Sequence, residues 1–264
     1  MREDLWPDES EDLCWLAGDW RILQRLDGHR WSLDDLATAW FAASECARPP
    51  SRAIDLGCGI GTVLLFLAWR FPETHFVGVE AQAVSAQMAR RSIAWNGVEA
   101  RCEVRDGDLR DPAIVPEGGS FELVTGTPPY FPPGSGIESD REQRAPCRFE
   151  HRGGIEAYCE AAARLLAPDG RFVACEASGQ AERVVPAARA AGLTVEKWLD
   201  FVPRAGKPPL FAVFSMCRPV TGHNGMNVHS VIRSEPLTVR NMDGRWTPAF
   251  RRLRDEMGLP PGEP

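Results

Sequence analysis

The sequence predicts an α/β protein built on one mostly parallel sheet with helices on both faces. Three observations lead to that class. From residue 52 onward short apolar runs alternate with helical stretches, a glycine-rich loop joins the first run to its helix, and two further strand-like runs close the pattern around "VPRAGKPP". A chain of 264 residues, 44% hydrophobic and 25% charged, is long enough to bury a full core in one large domain or two small ones.

Each element has a local reason. Residues 20–31, "WRILQRLDGHRW", read as two short strands about the Asp27-Gly28 turn. Ser32 followed by Asp35 is an acidic capping box that opens a helix through about Ala47, and Arg48-Pro49-Pro50-Ser51 ends it. Next come a strand at 53–56, the glycine loop at 57–61, a helix at 62–70, a strand at 75–79, a helix at 81–95 and a strand at 100–104. A fourth strand is expected at 121–125, then a helix at about 155–166, a strand at 171–176, a helix around 181–191 and closing strands near 194–201 and 210–217. The organisation is an N-terminal hairpin and helix over 1–50, a main domain over 51–218, and a polar, Gly- and Pro-bearing tail or arm over 219–264.

Composition excludes several classes. The acidic start has no basic leader and the longest apolar run, 63–69, is too short to span a bilayer, so a cytoplasmic protein without a membrane segment is expected. The eight cysteines and five histidines are scattered without C-x-x-C or H-E-x-x-H spacing, which leaves no pattern for a metal site or a disulfide framework. The net charge of −7 disfavours a nucleic-acid partner, but its distribution does not. Residues 1–140 carry 12 basic and 23 acidic side chains, a net −11, whereas residues 141–264 carry 18 and 14, a net +4. Arg141, Arg144, Arg148 and Arg152 recur at intervals of three or four, which makes either a phosphate-contacting patch or a solvated face in an Arg-biased chain whose only lysines are Lys197 and Lys207.

Two segments carry chemistry. "AIDLGCGIGT" sets Asp55 two residues before Gly57, Gly59 and Gly61, where unbranched backbone lets a ligand approach a helix N-terminus. The G-x-G-x-G spacing departs from the dinucleotide G-x-G-x-x-G, and an acid beside it repels a pyrophosphate but suits a ligand with an ammonium and a sulfonium, such as S-adenosylmethionine. Glu80 at the next strand end can accept from two ribose hydroxyls, and Asp108 after the third strand can accept from an adenine amine. The second segment is "VTGTPPYFPPGSG". Pro128 and Pro129 stop a central strand abruptly, fix the direction of its last carbonyls, and hold Thr127 beside the Tyr130 ring. An ordinary Pro-rich loop is the plain alternative.

On these residues the chain resembles the class I S-adenosylmethionine-dependent methyltransferases, and "TPPYF" resembles the N/D/S-P-P-Y/F motif of those that methylate exocyclic or amide nitrogens. More narrowly, "HRWSLDDLATAWFA", "DLGCGIGT", "PPYFPPGSG", "CRFE", "PRAGKPP" and "EPLTVRNMDGRWTPAFRRL" are similar, in that order, to bacterial tRNA adenine-N6 methyltransferases acting next to the valine anticodon. The resemblance implies a Rossmann-like seven-stranded sheet with an antiparallel final hairpin. It implies that Asp55, Gly57, Cys58, Gly59, Gly61, Glu80, Ala81, Asp108, Leu109 and Thr127 bind S-adenosylmethionine, and that Thr127, Pro128, Pro129 and Tyr130 form the catalytic motif. Substrate contacts are implied for Trp31, Asp34, Tyr130, Phe131, Arg144, Arg148 and Lys207, with no metal. The chain departs from the family in carrying Thr127 where Asn is usual and Phe149 where His is usual. A Thr hydroxyl still accepts one hydrogen bond from an amine, and serine stands at this place in related enzymes acting on a cytosine amine. Three functions follow as alternatives: methylation of an adenine amine in an RNA such as tRNA, methylation of a protein glutamine or a small molecule, or a non-catalytic S-adenosylmethionine-binding subunit.

Overall fold

The chain's first turn falls one strand earlier than the sequence suggests. In the computed structural model, which describes residues 5–28, 30–130, 150, 153–219 and 231–260, β1 (Glu11–Trp15) pairs antiparallel with β2 (Arg21–Arg25) around residues 16–20. Gly18 makes that corner at φ +51°, and a β-carbon there would lie 2.7 Å from the indole nitrogen of Trp69. Asp27-Gly28 forms only a loose turn, in which Gly28 N–H reaches the Arg25 carbonyl at 3.4 Å, because the chain then turns into a helix rather than back along β2. The Trp31 N–H donates to the side chain of Gln24 (2.9 Å) on the way.

That helix, α1 (Leu33–Glu45), starts as its cap predicts, with the Ser32 N–H on the Asp35 carboxylate at 2.9 Å, and it stops before the two prolines. The alternation then runs as expected: β3 (Arg52–Leu56), α2 (Thr62–Arg70), β4 (His75–Glu80), α3 (Ala83–Trp95), β5 (Cys102–Asp106) and β6 (Phe121–Gly126). After it come α4 (Ile155–Leu165), β7 (Leu166–Ala177), a 3-10 turn with α5 (Val184–Ala190), β8 (Thr194–Arg204) and β9 (Phe211–Cys217).

The strands assemble in the order β5-β4-β3-β6-β7-β9-β8, parallel except that β9 runs antiparallel to both neighbours. This is the expected seven-stranded sheet with its antiparallel final hairpin. One face buries α1, α2 and α3, through residues such as Leu36, Leu65, Phe66 and Ile93, and the other buries α4 and α5, through Ile155, Tyr158, Leu165 and Val184. Central strands covered on both faces explain why the runs read as continuously apolar.

The C-terminal segment differs from the extended tail read from composition. β10 (Ile232–Arg233) and β11 (Leu237–Arg240) both pair parallel with β8, and α6 (Pro248–Glu256) follows, capped by Thr247, whose hydroxyl accepts from the Phe250 N–H at 3.2 Å. Leu237, Val239, Phe250, Leu253 and Met257 are buried and join the core beside α1. Their apolar spacing of two and then of three to four residues is real, but it is diluted among arginines and acids, so mean polarity concealed it. Among the described residues no helix is long and apolar enough to cross a membrane, and no group of three metal-ligating side chains converges.

Candidate active site

A parallel sheet gathers the carboxyl ends of its strands along one edge, and the candidate residues lie there at the ends of β3, β4, β5 and β6. The loop after β3 turns on three glycines in the left-handed region, Gly57 (φ +61°), Gly59 (φ +55°) and Gly61 (φ +88°). Their surroundings differ. A β-carbon on Gly57 would strike the Tyr158 hydroxyl, and one on Gly61 would crowd Ala89 at 3.2 Å, whereas one on Gly59 would meet nothing within 4 Å. Gly59 therefore faces an open cradle at the N-terminus of α2. Cys58, between them, turns its thiol inward against Gly78 and gives the cradle only its backbone.

Two carboxylates brace the loop. Asp55 is buried on β3, where its Oδ1 accepts the Thr125 hydroxyl at 2.7 Å; burial pushes its pKa up to about 7, against the opposing effect of that hydrogen bond. Glu80 ends β4 and accepts the Gly59 N–H (2.9 Å) on one oxygen and the Gln82 N–H (2.7 Å) on the other, which places Ala81 at the rim of the cradle. A carboxylate at this strand end is the kind of group that accepts from ribose hydroxyls. After β5, Asp108 pairs with the Arg110 guanidinium (2.6 Å) beside Leu109, whose carbonyl accepts from Arg164 (3.0 Å). An open glycine turn, a helix N-terminus and two braced acids fit S-adenosylmethionine.

At the end of β6, Thr127 and Pro129 are partly exposed and Pro128 is buried. Tyr130 is fixed through its hydroxyl, which donates to Asp34 Oδ2 at 2.7 Å and lies 3.0 Å from the Cys175 sulfur. Burial and these neighbours raise the Tyr130 pKa well above the ordinary value, so the phenol stays protonated and its ring is held in place by α1 and β7. Of the expected substrate residues, Asp34 and Tyr130 are thus brought together. Trp31 packs edge-on against Phe66 (ring centres 5.6 Å apart) as part of the core boundary. Lys207 is exposed in the β8–β9 turn, three strands away from β6. Phe131, Arg144 and Arg148, with the remaining arginines of that cluster and Phe149, lie outside the described residues.

Sequence reading missed Tyr158 and Cys175. Tyr158 is buried beneath the site, its ring against Gly126 and its hydroxyl under Gly57, so both glycines are required by one side chain. The chain has only two tyrosines, and both serve this edge of the sheet; that scarcity was the available signal.

Residues 53–133 match the family model of a methyltransferase domain. Solved structures agree on the fold. A predicted O-methyltransferase from Agrobacterium tumefaciens superposes with a TM-score of 0.66 at 18% identity, over 86% of this chain and 98% of that one. Geranyl diphosphate methyltransferase, in complex with GPP and sinefungin, superposes with a TM-score of 0.50 at 15% identity, over 69% and 78%. The chain therefore has the class I, S-adenosylmethionine-dependent methyltransferase fold and carries a methyltransferase domain. Among curated proteins it is similar to the tRNA1(Val) (adenine(37)-N6)-methyltransferase of Porphyromonas gingivalis, 30% identical over 52% of this chain and 54% of that one. The enzyme of the same name from Dickeya chrysanthemi is 28% identical over 80% and 82%. Against the Porphyromonas relative the matched region spans about half the relative's length.

Proposed function

We propose that this chain transfers a methyl group from S-adenosylmethionine to the exocyclic amine of an adenine in tRNA, in the cytoplasm. The observation that carries the reading is the sequence Thr127-Pro128-Pro129-Tyr130 leaving β6 next to the glycine cradle at the end of β3, with Tyr130 locked by Asp34. The likeness to tRNA adenine-N6 methyltransferases over four-fifths of the chain supports the same substrate class.

The bound cofactor supplies an electrophilic methyl on a sulfonium. The chain's own residues position the acceptor. The Thr127 hydroxyl accepts one amine hydrogen and a backbone carbonyl of the motif accepts the other, which turns the nitrogen lone pair toward the cradle. Tyr130 offers its ring to a base that has left its stack. The amine loses its proton after transfer, so no strong general base is needed.

Methylation of a protein glutamine or a small molecule is favoured by Thr127 in place of Asn and by the acidic balance of the chain. One experiment separates the two readings: incubate the purified protein with S-adenosylmethionine and unmodified tRNA, digest the RNA, and identify the nucleosides by mass spectrometry. The tRNA reading expects N6-methyladenosine. Unmodified tRNA alongside a methylated protein or metabolite from the same lysate would replace it with the second reading.

A further inference from the structure

The arginines of the first half are mostly neutralised by carboxylates. Arg30, Arg90, Arg91, Arg105 and Arg110 each hold an acid at 2.5 to 2.8 Å. On β8 and β10, Lys197 and Arg233 likewise hold Glu45 and Glu182, but one group of cations past the end of β8 stands apart. Arg204, Lys207, Arg240 and Arg254 make no ion pair among the described residues, although Asp243, Asp255 and Glu256 are close in sequence.

These cations are organised by backbone. The Ala205 N–H donates to the Arg240 carbonyl (2.8 Å), which staples the β8–β9 turn to the end of β11. Arg240 donates to the Gly244 carbonyl (2.6 Å), and the Arg204 guanidinium lies against the same glycine, whose missing side chain makes room for it. Trp246 then takes Arg254 over its ring at 4.0 Å and Arg240 at 5.8 Å. Next to Gly206 stands Met242, 72% exposed. The result groups Arg204, Arg240 and Arg254 about one turn and its Trp246 ring, with Lys207 in the adjoining turn and the exposed Asp243 beside them.

Its position is set by topology. β8 runs parallel to β3 and β6 through two antiparallel pairings, so Arg204 at its end lies along the same edge as the glycine cradle and Thr127. Three strand spacings of about 4.8 Å separate β8 from β6, and the register carries Arg204 about five residues further along the strand direction than Thr127, so the two lie on the order of 20 Å apart. One nucleic-acid ligand can span that distance with a single base inserted at Tyr130.

We propose that this surface, Arg204, Lys207, Arg240 and Arg254 around Trp246, docks the phosphate backbone of the RNA whose base enters at Tyr130, an inference that rests on the tRNA reading above. Charge complementarity favours RNA: unpaired guanidiniums arranged beside an aromatic suit a phosphate chain.

The test is tRNA binding across a salt series by wild type, by the double variant Arg204→Glu/Lys207→Glu, and by Arg70→Glu/Arg189→Glu, which makes the same charge change elsewhere on the surface. S-adenosylmethionine affinity, measured by calorimetry, reports that each variant is folded. The surface variant should bind tRNA about tenfold or more weakly at low salt, with a log–log salt slope shallower by about 1.5 for two lost phosphate contacts, and the distant variant should behave as wild type. Equal losses in both variants would mean general charge rather than a docking surface, and overturn the inference. If wild type binds and methylates tRNA but the surface variant matches it, the inference fails while the tRNA reading stands. If wild type neither binds nor methylates tRNA, both fail. Wild-type binding to polyglutamate as tight as to tRNA would assign the surface to an acidic protein instead.

Discussion

Gly57 and Gly59 share a backbone conformation and differ in what surrounds them. The space at Gly59 is open and the space at Gly57 is filled by Tyr158, so of the two only Gly59 leaves room for a ligand to approach. Gly59→Val should abolish S-adenosylmethionine binding in calorimetry while lowering stability by only about 1–2 kcal/mol, the cost of a left-handed residue with a side chain. Gly57→Ala should weaken folding and binding together. A Gly59→Val protein that binds like wild type would place the cofactor elsewhere. Tyr130 gives a second test at this scale, because Asp34 and Cys175 orient its ring. Tyr130→Ala should lose about 1–3 kcal/mol of transition-state binding with cofactor affinity nearly intact; loss of cofactor affinity instead would put the ring in the cofactor pocket. Glu176 is legible only in the structure. It is fully buried at the end of β7, one oxygen accepting the Ala177 N–H (2.9 Å) and the other without a hydrogen-bond partner among the described residues, and burial raises its pKa to about 8 despite Arg183, with Glu150 and Glu156 adding to the rise. Its folded pKa exceeds its unfolded value of about 4.3. The stability it allows at low pH is therefore lost as pH climbs from about 4.3 to 8. Glu176→Gln should melt close to wild type at pH 5 and clearly above it at pH 9, and an unchanged difference between the two pH values would contradict the assignment.

At the scale of elements, the sequence was most readable where local chemistry and periodicity agree. The capping box placed α1, the glycine loop placed the β3–α2 junction, and the double proline placed the end of β6. The first hairpin was displaced because Asp27-Gly28 satisfies a local rule for a turn that the chain uses to enter α1, while the actual corner depends on Gly18 meeting Trp69, a contact 51 residues away in sequence. The C-terminal strands and helix were hidden for another reason: β10 and β11 add to the edge of β8, a partner that composition cannot reveal. Their contribution is measurable. Leu253 is completely buried among core residues, so Leu253→Ala should cost about 2–5 kcal/mol in denaturant unfolding. A cost within a few tenths of zero would mean that α6 adds little to the core. The same scale shows what remained illegible in the site. Tyr158 and Cys175 come from α4 and β7, and only the parallel packing of β3, β6 and β7 brings them under the loop and behind Tyr130.

For the whole molecule, the sheet order decides which residues share an edge. Crossovers that keep β3, β4, β5 and β6 parallel bring one cradle, two bracing acids and the Thr127 motif to a single edge, and the antiparallel β9 returns β8 to that edge with its unpaired cations. In the proposed reaction this edge holds an adenine amine at Thr127 for methyl transfer. Single-turnover transfer of labelled methyl to unmodified tRNA tests it most directly, comparing wild type with Thr127→Val, which removes the acceptor at nearly constant shape, and Thr127→Asn, which restores the commoner residue. Wild type should yield N6-methyladenosine, Thr127→Val should react roughly 10- to 1000-fold more slowly, as expected when one preorganised hydrogen-bond partner is removed, and Thr127→Asn should retain or raise the rate. Full activity in Thr127→Val would contradict the holding role of Thr127.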